Sequence, residues 1–336
     1  MKTIGIPRAL MFHRFETLWS TFFEELGCKV VYSEETTRAI MERGDQLSVD
    51  ECCLASKIYL GHVADLKEKC DLVFVPSLVG QKRREGYCTK FQALPDLVRN
   101  TFSTSMGNDP IPLLTCAIGN YEVESHEEEE AFEDLGAKLG ASRKQARKAY
   151  ASAKKAWNRE RERKAKRFAK SLSSAKAART NELNKAKEGN KPAPALKPII
   201  LLVGHPYVTH DPYIGEQAQQ MLEDCGAQVF LAEDFNPEKS LKRSYDFSQT
   251  MPWLINRELC GAIAELQDEV DGIVILSAFP CGPDSMTNEA VAARITSTPT
   301  LILTVDAQSG TAGLETRIES FVDILQFQSQ GGYVHA

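Results

Sequence analysis

The 336-residue chain has no apolar run near the roughly 18 residues that a membrane-spanning helix needs. Its first residues, Met1-Lys-Thr-Ile-Gly-Ile-Pro, lack a cationic stretch followed by a long apolar segment, so they read as a first strand and not as a secretory signal. No Gly-x-Ser-x-Gly elbow and no His-Glu-x-x-His pair is present, and Gly310-Thr-Ala-Gly is not followed by the Lys-Ser/Thr of a phosphate loop. These absences remove the common serine-hydrolase, zinc-protease and P-loop readings. The 9 cysteines never stand at Cys-x-x-Cys spacing. Without a signal they point to a reducing cytoplasm, where cysteines are core residues, metal ligands or catalytic groups rather than disulfides.

A net charge of −6 conceals two opposed regions. Residues 138–191 hold 19 Lys/Arg and 4 Asp/Glu, a balance of +15; the remainder holds 21 and 42, a balance of −21. No Gly or Pro interrupts residues 141–188. Within that run Tyr150, Ala153 and Trp157, and then Phe168, Leu172 and Ala175, recur at helical spacing. One helix of this length would measure about 70 Å, so a bent or paired helical insert is expected. Its basic face reads as a solvated surface in preference to a nucleic-acid platform, because its aromatics are few and helically spaced.

On either side of the insert the pattern alternates strand and helix. Thr3–Arg8, Lys29–Tyr32, Asp71–Pro76 and Ile111–Cys116 read as strands, with helices over 14–26 and from Asp50 to about Lys69. The pattern then returns. Gly5-Ile-Pro-Arg and the helix ending at Gly27 answer to Gly204-His-Pro-Tyr and the helix ending at Gly226, an offset of 199. Asp71-Leu-Val-Phe-Val answers to Asp271-Gly-Ile-Val-Ile at an offset of 200. Leu301-Ile-Leu-Thr-Val closes the second sheet and Leu314–Gln326 is a last helix. The fold class is therefore α/β: two duplicated Rossmann-like parallel-sheet domains joined by a helical insert. The divisions fall at 1–120, 121–197 (insert and Pro-rich linker) and 198–336.

The repeat sorts the cysteines. Val270–Met286 reads as a buried strand that runs into a tight loop presenting Cys281; Gly282-Pro283 follow, so Cys281 sits just before a helix N-terminus, on the sheet edge where ligands bind. Cys53 and Cys88 follow the second and third strands of the first half. Two facing halves could converge these three. At an offset of 200 the counterpart of Cys53 is Trp253, so the second half supplies one thiol. Three thiolates suit a [4Fe–4S] cluster with one open iron or a zinc ion with one open position. Cys52 is an ambiguous neighbour, because adjacent helical residues point about 100° apart. Cys116 is a spare ligand at a strand end. Cys28, Cys70, Cys225 and Cys260 read as core. His205 and His210 follow the first strand of the second half and either line the same cleft as acid/base groups or merely satisfy a loop. The turn Asp306-Ala-Gln-Ser-Gly310 is a candidate cradle for a phosphate or carboxylate.

At these residues the chain resembles a known family. The stretches are Gly5-Ile-Pro-Arg-Ala-Leu, Val49-Asp-Glu-Cys-Cys53-Leu, Lys57-Ile-Tyr-Leu-Gly-His62, Cys88-Thr-Lys-Phe-Gln-Ala-Leu-Pro-Asp96, Gly204-His-Pro-Tyr, Phe279-Pro-Cys281-Gly-Pro-Asp and Ala312-Gly-Leu-Glu-Thr-Arg. They are similar to the acyl-CoA dehydratase activase-related proteins, which belong with 2-hydroxyacyl-CoA dehydratases, benzoyl-CoA reductases and double-cubane cluster proteins. The resemblance implies a cluster held by Cys53, Cys88 and Cys281 between two α/β domains. It further implies electrons supplied by a separate ATP-hydrolysing iron–sulfur activase, a setting of anaerobic metabolism, and dehydration or reduction of an acyl-CoA. A homologous dehydratase-like subunit or a second copy of this chain is an expected partner, and a membrane is not. The chain departs from the family at Asp306-Ala307-Gln308, where an acidic residue and a histidine are usual after the Asp. A double cubane would take about six converging cysteines, so a single [4Fe–4S] cluster is expected. The opposing expectation is a non-catalytic subunit that docks a partner through the helical insert.

Overall fold

The computed structural model describes residues 1–80, 85–104, 107, 109–119, 127–189, 194, 196–307 and 311–330. The charged loop at 81–84, the start of the insert, most of the Pro-rich linker and positions 308–310 of the proposed cradle lie outside the described residues.

The first half runs β1 (Thr3–Ile6), α1 (Phe12–Glu25), β2 (Lys29–Tyr32), α2 (Arg38–Gln46), α3 (Leu54–Leu66), β3 (Leu72–Phe74), β4 (Ser77–Leu78), α4 (Thr89–Gln92), α5 (Leu94–Thr101), β5 (Leu113–Leu114) and β6 (Ala117–Ile118). The insert is α6 (Glu127–Lys138) and α7 (Arg143–Glu188). The second half runs β7 (Ile199–Val203), α8 (Pro206–Thr209), α9 (Glu216–Asp224), β8 (Gln228–Leu231), α10 (Pro237–Phe247), α11 (Leu254–Leu266), β9 (Gly272–Ala278), α12 (Gly282–Arg294), β10 (Thr300–Val305) and α13 (Thr311–Ser329).

The main sheets are parallel throughout, in the orders β2-β1-β3-β5 and β8-β7-β9-β10. These are the same order written twice, so the duplication read from sequence is present in the topology. The central strands β7 and β9 are buried along their whole length, as a sheet covered on both faces requires. The likeness extends to contacts. A Cβ on Gly61 in α3 would fall 2.1 Å from the Ile40 carbonyl oxygen, and one on Gly261 in α11 would fall 1.8 Å from that of Ser240. Both residues of each pair are related by 200 positions, so α3 crosses α2 as α11 crosses α10, backbone against backbone. The stretch holding α2 reads as polar in sequence because only Ile40, Met41 and Gly44 of it are buried.

The insert is paired, as expected, with α6 packed against the start of α7, where Phe132 lies 4.9 Å from Tyr150 and Arg147 is bonded to Glu133. Most of its length is nevertheless a single helix: residues 143–188 run without interruption. A capping box of Ser142 and Gln145 starts it. Packing along its length then sustains it, which is where most helical stability in proteins arises. Ala146, Ala149, Ala153 and Trp157 are buried. Trp157 lies 5.4 Å from Phe15 of α1 and its indole N–H donates to the Arg14 carbonyl. Further on, Phe168 lies edge-on to Phe230 and Phe235 of the second half, at 5.5 and 5.7 Å. The basic residues pair with the acidic domains: Arg161 with Glu258, Lys164 with Asp234, Lys176 with Glu269 and Arg179 with Asp271. Part of the charge polarity of the sequence is thus satisfied within the molecule. Among the described residues no helix is long and apolar enough to cross a membrane.

Candidate functional site

Four helix starts meet at one small cavity between the halves. Cys53 is the N-cap of α3, Cys88 of α4, Trp253 of α11 and Cys281 of α12. All four line the cavity, whose volume is about 50 Å³. Local sequence explains each stop. Cys53 and Cys88 are in extended backbone (ψ 150° and 142°) before their helices begin, and Pro283 falls in the first turn of α12, where its missing N–H costs nothing.

The backbone ties the halves together at the same place. The first free amide of α3, Leu54 N–H, donates to the Phe279 carbonyl of the Cys281 loop at 2.8 Å. The first free amide of α11, Leu254 N–H, donates to the Gly86 carbonyl of the Cys88 loop, also at 2.8 Å. Each half therefore caps a helix of the other, through the loop that carries its own cysteine. Gly86 and Trp253 form a parallel bridge that extends this contact.

The electrostatics fit a site made for an occupant. Burial, followed by Asp284, raises the Cys281 thiol well above the usual thiol range. Burial raises Cys88 as well, with the Cys53 thiol adding to it. The Tyr207 phenol, raised first by burial, is raised further by Cys281, Asp284, Cys53 and Cys88, which places it among the three sulfurs. As bare thiols Cys88 and Cys281 are held neutral. A bound cationic centre reverses that balance and takes them as thiolates. A single zinc with bonds of about 2.3 Å brings its sulfurs to about 3.8 Å from one another. Among the described residues, the potential ligands lying within 4.8 Å of one another are His205, Cys281 and Asp284, and the three thiols form no such trio.

His205 reaches this cavity and His210 does not, so the two do not line one cleft. The single turn of α8 stands between them: His205 is its N-cap and His210 its C-cap. His205 joins a buried network, with Nδ1 3.1 Å from Asp284 and Nε2 3.2 Å from the Asn256 carbonyl oxygen. The Asn256 amide donates to Asp284 and to Thr287. The His205 ring stacks on Tyr207 at 4.9 Å. His210 instead pairs with Glu233 and stacks on His13 at 5.9 Å, in a separate cavity of about 310 Å³ floored by α1 and α7. Burial pulls the His210 imidazole down, but Glu233 outweighs it and leaves it raised.

Of the weaker thiols, Cys52 faces away from Cys53. It accepts from the Lys90 ammonium at 3.5 Å and lines a larger cleft of about 820 Å³ between Arg38, Lys57, Phe279 and Asp306. Cys116 does not reach the cavity: it belongs to the first core, where burial pushes its thiol up to about 12. Asn256 and Asp284 are site residues that the sequence reading did not single out. The signal for Asn256 was a polar residue inside the apolar start of a helix, Trp253-Leu-Ile-Asn.

Comparison with known proteins places the chain in a family. No curated protein matches it. Among solved structures it aligns with D-lactate dehydrogenase of Salmonella at 10% identity and a TM-score of 0.20, covering 96% of each chain. It also aligns with the C-terminal domain of glucosamine-fructose-6-phosphate aminotransferase from Francisella tularensis at 13% identity and a TM-score of 0.21, covering 99% of this chain and 86% of that one. Overlaps of this size carry no argument about fold or function. A family profile described as the CoA enzyme activase uncharacterised domain matches residues 3–235. That match spans more than half of the sequence, and the chain belongs to this family of CoA enzyme activase domains.

Proposed function

We propose that this protein is an iron–sulfur component of a CoA-enzyme activation system. In this reading Cys53, Cys88 and Cys281 hold one [4Fe–4S] cluster, which accepts and passes on a single low-potential electron. The observation that carries the reading is the convergence of three thiols, each at a helix N-cap and drawn from both halves, on one cavity. The long helices α3 and α12 direct their positive ends toward it, which favours an anionic thiolate-bound group. The family membership supports an ATP-hydrolysing activase as the electron donor and a small acyl-CoA-like compound as the acceptor. The cleft beside Pro280 and Cys52 is the space that adjoins the cavity on the solvent side. Asp284, which interacts with Cys281, is itself held by His205 and Asn256.

The test is anaerobic purification or reconstitution, with iron and sulfide assay and EPR of the reduced protein. About four irons per chain and their loss in Cys281→Ala are expected. Iron far below that content, or a Cys281→Ala protein that keeps it, refutes the reading. A second reading is a non-catalytic, cluster-bearing subunit that docks its partner through the insert. The outer face of α7 favours it, since Lys148, Lys155, Arg159, Arg167 and Lys170 remain exposed. Reversing those charges separates the two: loss of partner binding with the cluster retained supports docking.

A further inference from the structure

A second cavity, of about 310 Å³, lies where His13 and His210 stack, and none of the three site thiols lines it. Arg8 and His13 reach it from beyond the end of β1 and Thr36 from beyond the end of β2, while α7 closes it with Trp157, Arg161 and Lys164. It thus sits at the carboxyl edge of the first sheet, where open α/β sheets bind ligands. Its charges are sorted by depth. Every cation of the lining is partly buried, whereas Glu16, Glu35 and Glu216 are exposed. The remaining acid, Glu160, is partly buried and accepts a hydrogen bond from Thr17. The cations are incompletely paired. Glu258 takes both terminal nitrogens of Arg14, at 2.6 and 2.9 Å, but lies 3.9 Å from Arg161. Asp234 lies 3.7 Å from Lys164. Both of these longer gaps exceed hydrogen-bond range. Among the described residues, Arg8 Nε, His13 Nε2 and Arg14 Nε are buried without a hydrogen-bond partner, although buried polar atoms are ordinarily paired. After burial, the groups that act on the His13 imidazole are His210, His62, Arg8 and Lys164, all of one sign.

We propose that this cavity binds a compact oxyanion, a phosphate or carboxylate group on a short carbon body, between the two halves and α7. Guanidinium groups match the oxygens of both anions through paired donors, and an ammonium adds a point charge. Phe12 and Trp157 supply an apolar wall beside those donors. The volume lies at the small end of the range for ligand pockets. The exposed acids turn away long polyanions such as nucleic acid and admit a ligand whose charge is confined to one end. The occupant touches three parts of the chain that are far apart in sequence, so it braces them against separation. The insert thereby gains a part in ligand binding, because Arg161 and Lys164 of α7 supply two of the cations. The proposal is independent of the iron–sulfur reading, since the two cavities share no residue.

The experiment uses the full chain, purified anaerobically, in equilibrium dialysis against radiolabelled inorganic phosphate and, separately, radiolabelled succinate. Chloride holds the ionic strength constant. Saturable binding of one anion per chain at millimolar or lower concentration is expected, together with a rise in the thermal midpoint by mass action. Binding of phosphate alone assigns the site to phosphate compounds, and binding of succinate alone assigns it to carboxylates; either result, or both, supports the proposal. Arg8→Gln and Lys164→Gln should each weaken binding about tenfold, the loss of one charge-assisted hydrogen bond. Lys170→Gln, on the exposed side of α7, should leave it unchanged. Three results overturn the proposal: no saturable binding of either anion, an affinity that is the same in Arg8→Gln and Lys164→Gln as in wild type, or an equal loss in Lys170→Gln. Should Arg8→Gln fail to fold, the comparison of Lys164→Gln with Lys170→Gln decides the matter.

Discussion

Single side chains set how this protein responds to pH. Burial holds the His62 imidazole down at about 4, and burial together with His210, His62, Arg8 and Lys164 holds His13 at about 3. The unfolded chain takes up both protons near pH 6.5, while the native protein refuses them until about 4 and 3. Stability is therefore lost as the pH falls below about 6.5. Asp211 acts in the opposite sense, because burial pushes its carboxyl up to about 6. Between about pH 4 and 6 the native state keeps that proton and the unfolded chain releases it, so this contribution is lost as the pH rises. Each histidine contributes a slope of about 1.4 kcal/mol per pH unit between about 4 and 6, and Asp211 and Asp234, both raised by burial, oppose them. The urea midpoint is expected to be lower at pH 5 than at pH 7, and the difference should shrink in His62→Asn; equal wild-type midpoints would count against the assignment. At this scale the sequence was legible where chemistry and chain position coincide. Cys281 before Gly-Pro, and Cys53 and Cys88 after strands, announce helix starts. His205 and His210 carry similar local signals, and nothing in the sequence reveals that one helical turn sends them to different cavities. Asn256 and Asp284 were hidden for the same reason: their partners lie 28 residues apart in the chain and meet only through the fold.

At the scale of elements, the strongest constraint is the close crossing of α2 on α3 and of α10 on α11. Gly61→Ala and Gly261→Ala would each place a methyl group within about 2 Å of a backbone oxygen, as the 2.1 and 1.8 Å approaches require. The obstacle is main chain, which cannot rotate away. Each substitution is expected to destabilise the protein by about 3 kcal/mol or more, read as a fall in the thermal midpoint. Gly313, whose added Cβ meets nothing within 4 Å, is the control. Two unaltered midpoints would show that the helices can separate without cost. Strands and the helices α1, α3, α9, α12 and α13 were legible because periodicity and Gly stops are local, whereas α10 and α11 were not read. Nor was α2, since three buried residues make too weak a stripe. The continuity of α7 was also misjudged, because about 70 Å of helix is improbable for an isolated segment and the surfaces that support it belong to distant stretches of chain. Of the cations that suggested a solvated face, Arg161, Lys164, Lys176 and Arg179 are set against acids of the second half, while Arg163, Lys166, Arg167 and Lys170 between them stay exposed.

For the whole molecule, the joints between the halves matter more than either half. They are held by reciprocal backbone bonds at the cavity and by α7, which packs on α1 through Trp157 and on the second half through Phe168. Unfolding is therefore expected to be a single transition. The 3 tryptophans report on it independently, since Trp19 belongs to the first half, Trp157 to α7 and Trp253 to the second half. Urea curves from tryptophan fluorescence and from far-ultraviolet circular dichroism should coincide, and single-tryptophan variants should give the same midpoint. Separate midpoints for Trp19 and Trp253 would show that the halves melt apart.

The double tether also sets an order of events. Synthesis delivers Cys53 and Cys88 first, then α7, and Cys281 only when the second half is nearly complete. The cavity closes as the late loop docks on α3 through the Leu54–Phe279 bond. A cofactor enters with least hindrance in the interval before that docking. Afterwards its release competes with the breaking of both tethers, so retention becomes a matter of kinetics, governed by the rate of global opening. A molecule that closed empty would have to break both tethers before anything could be loaded.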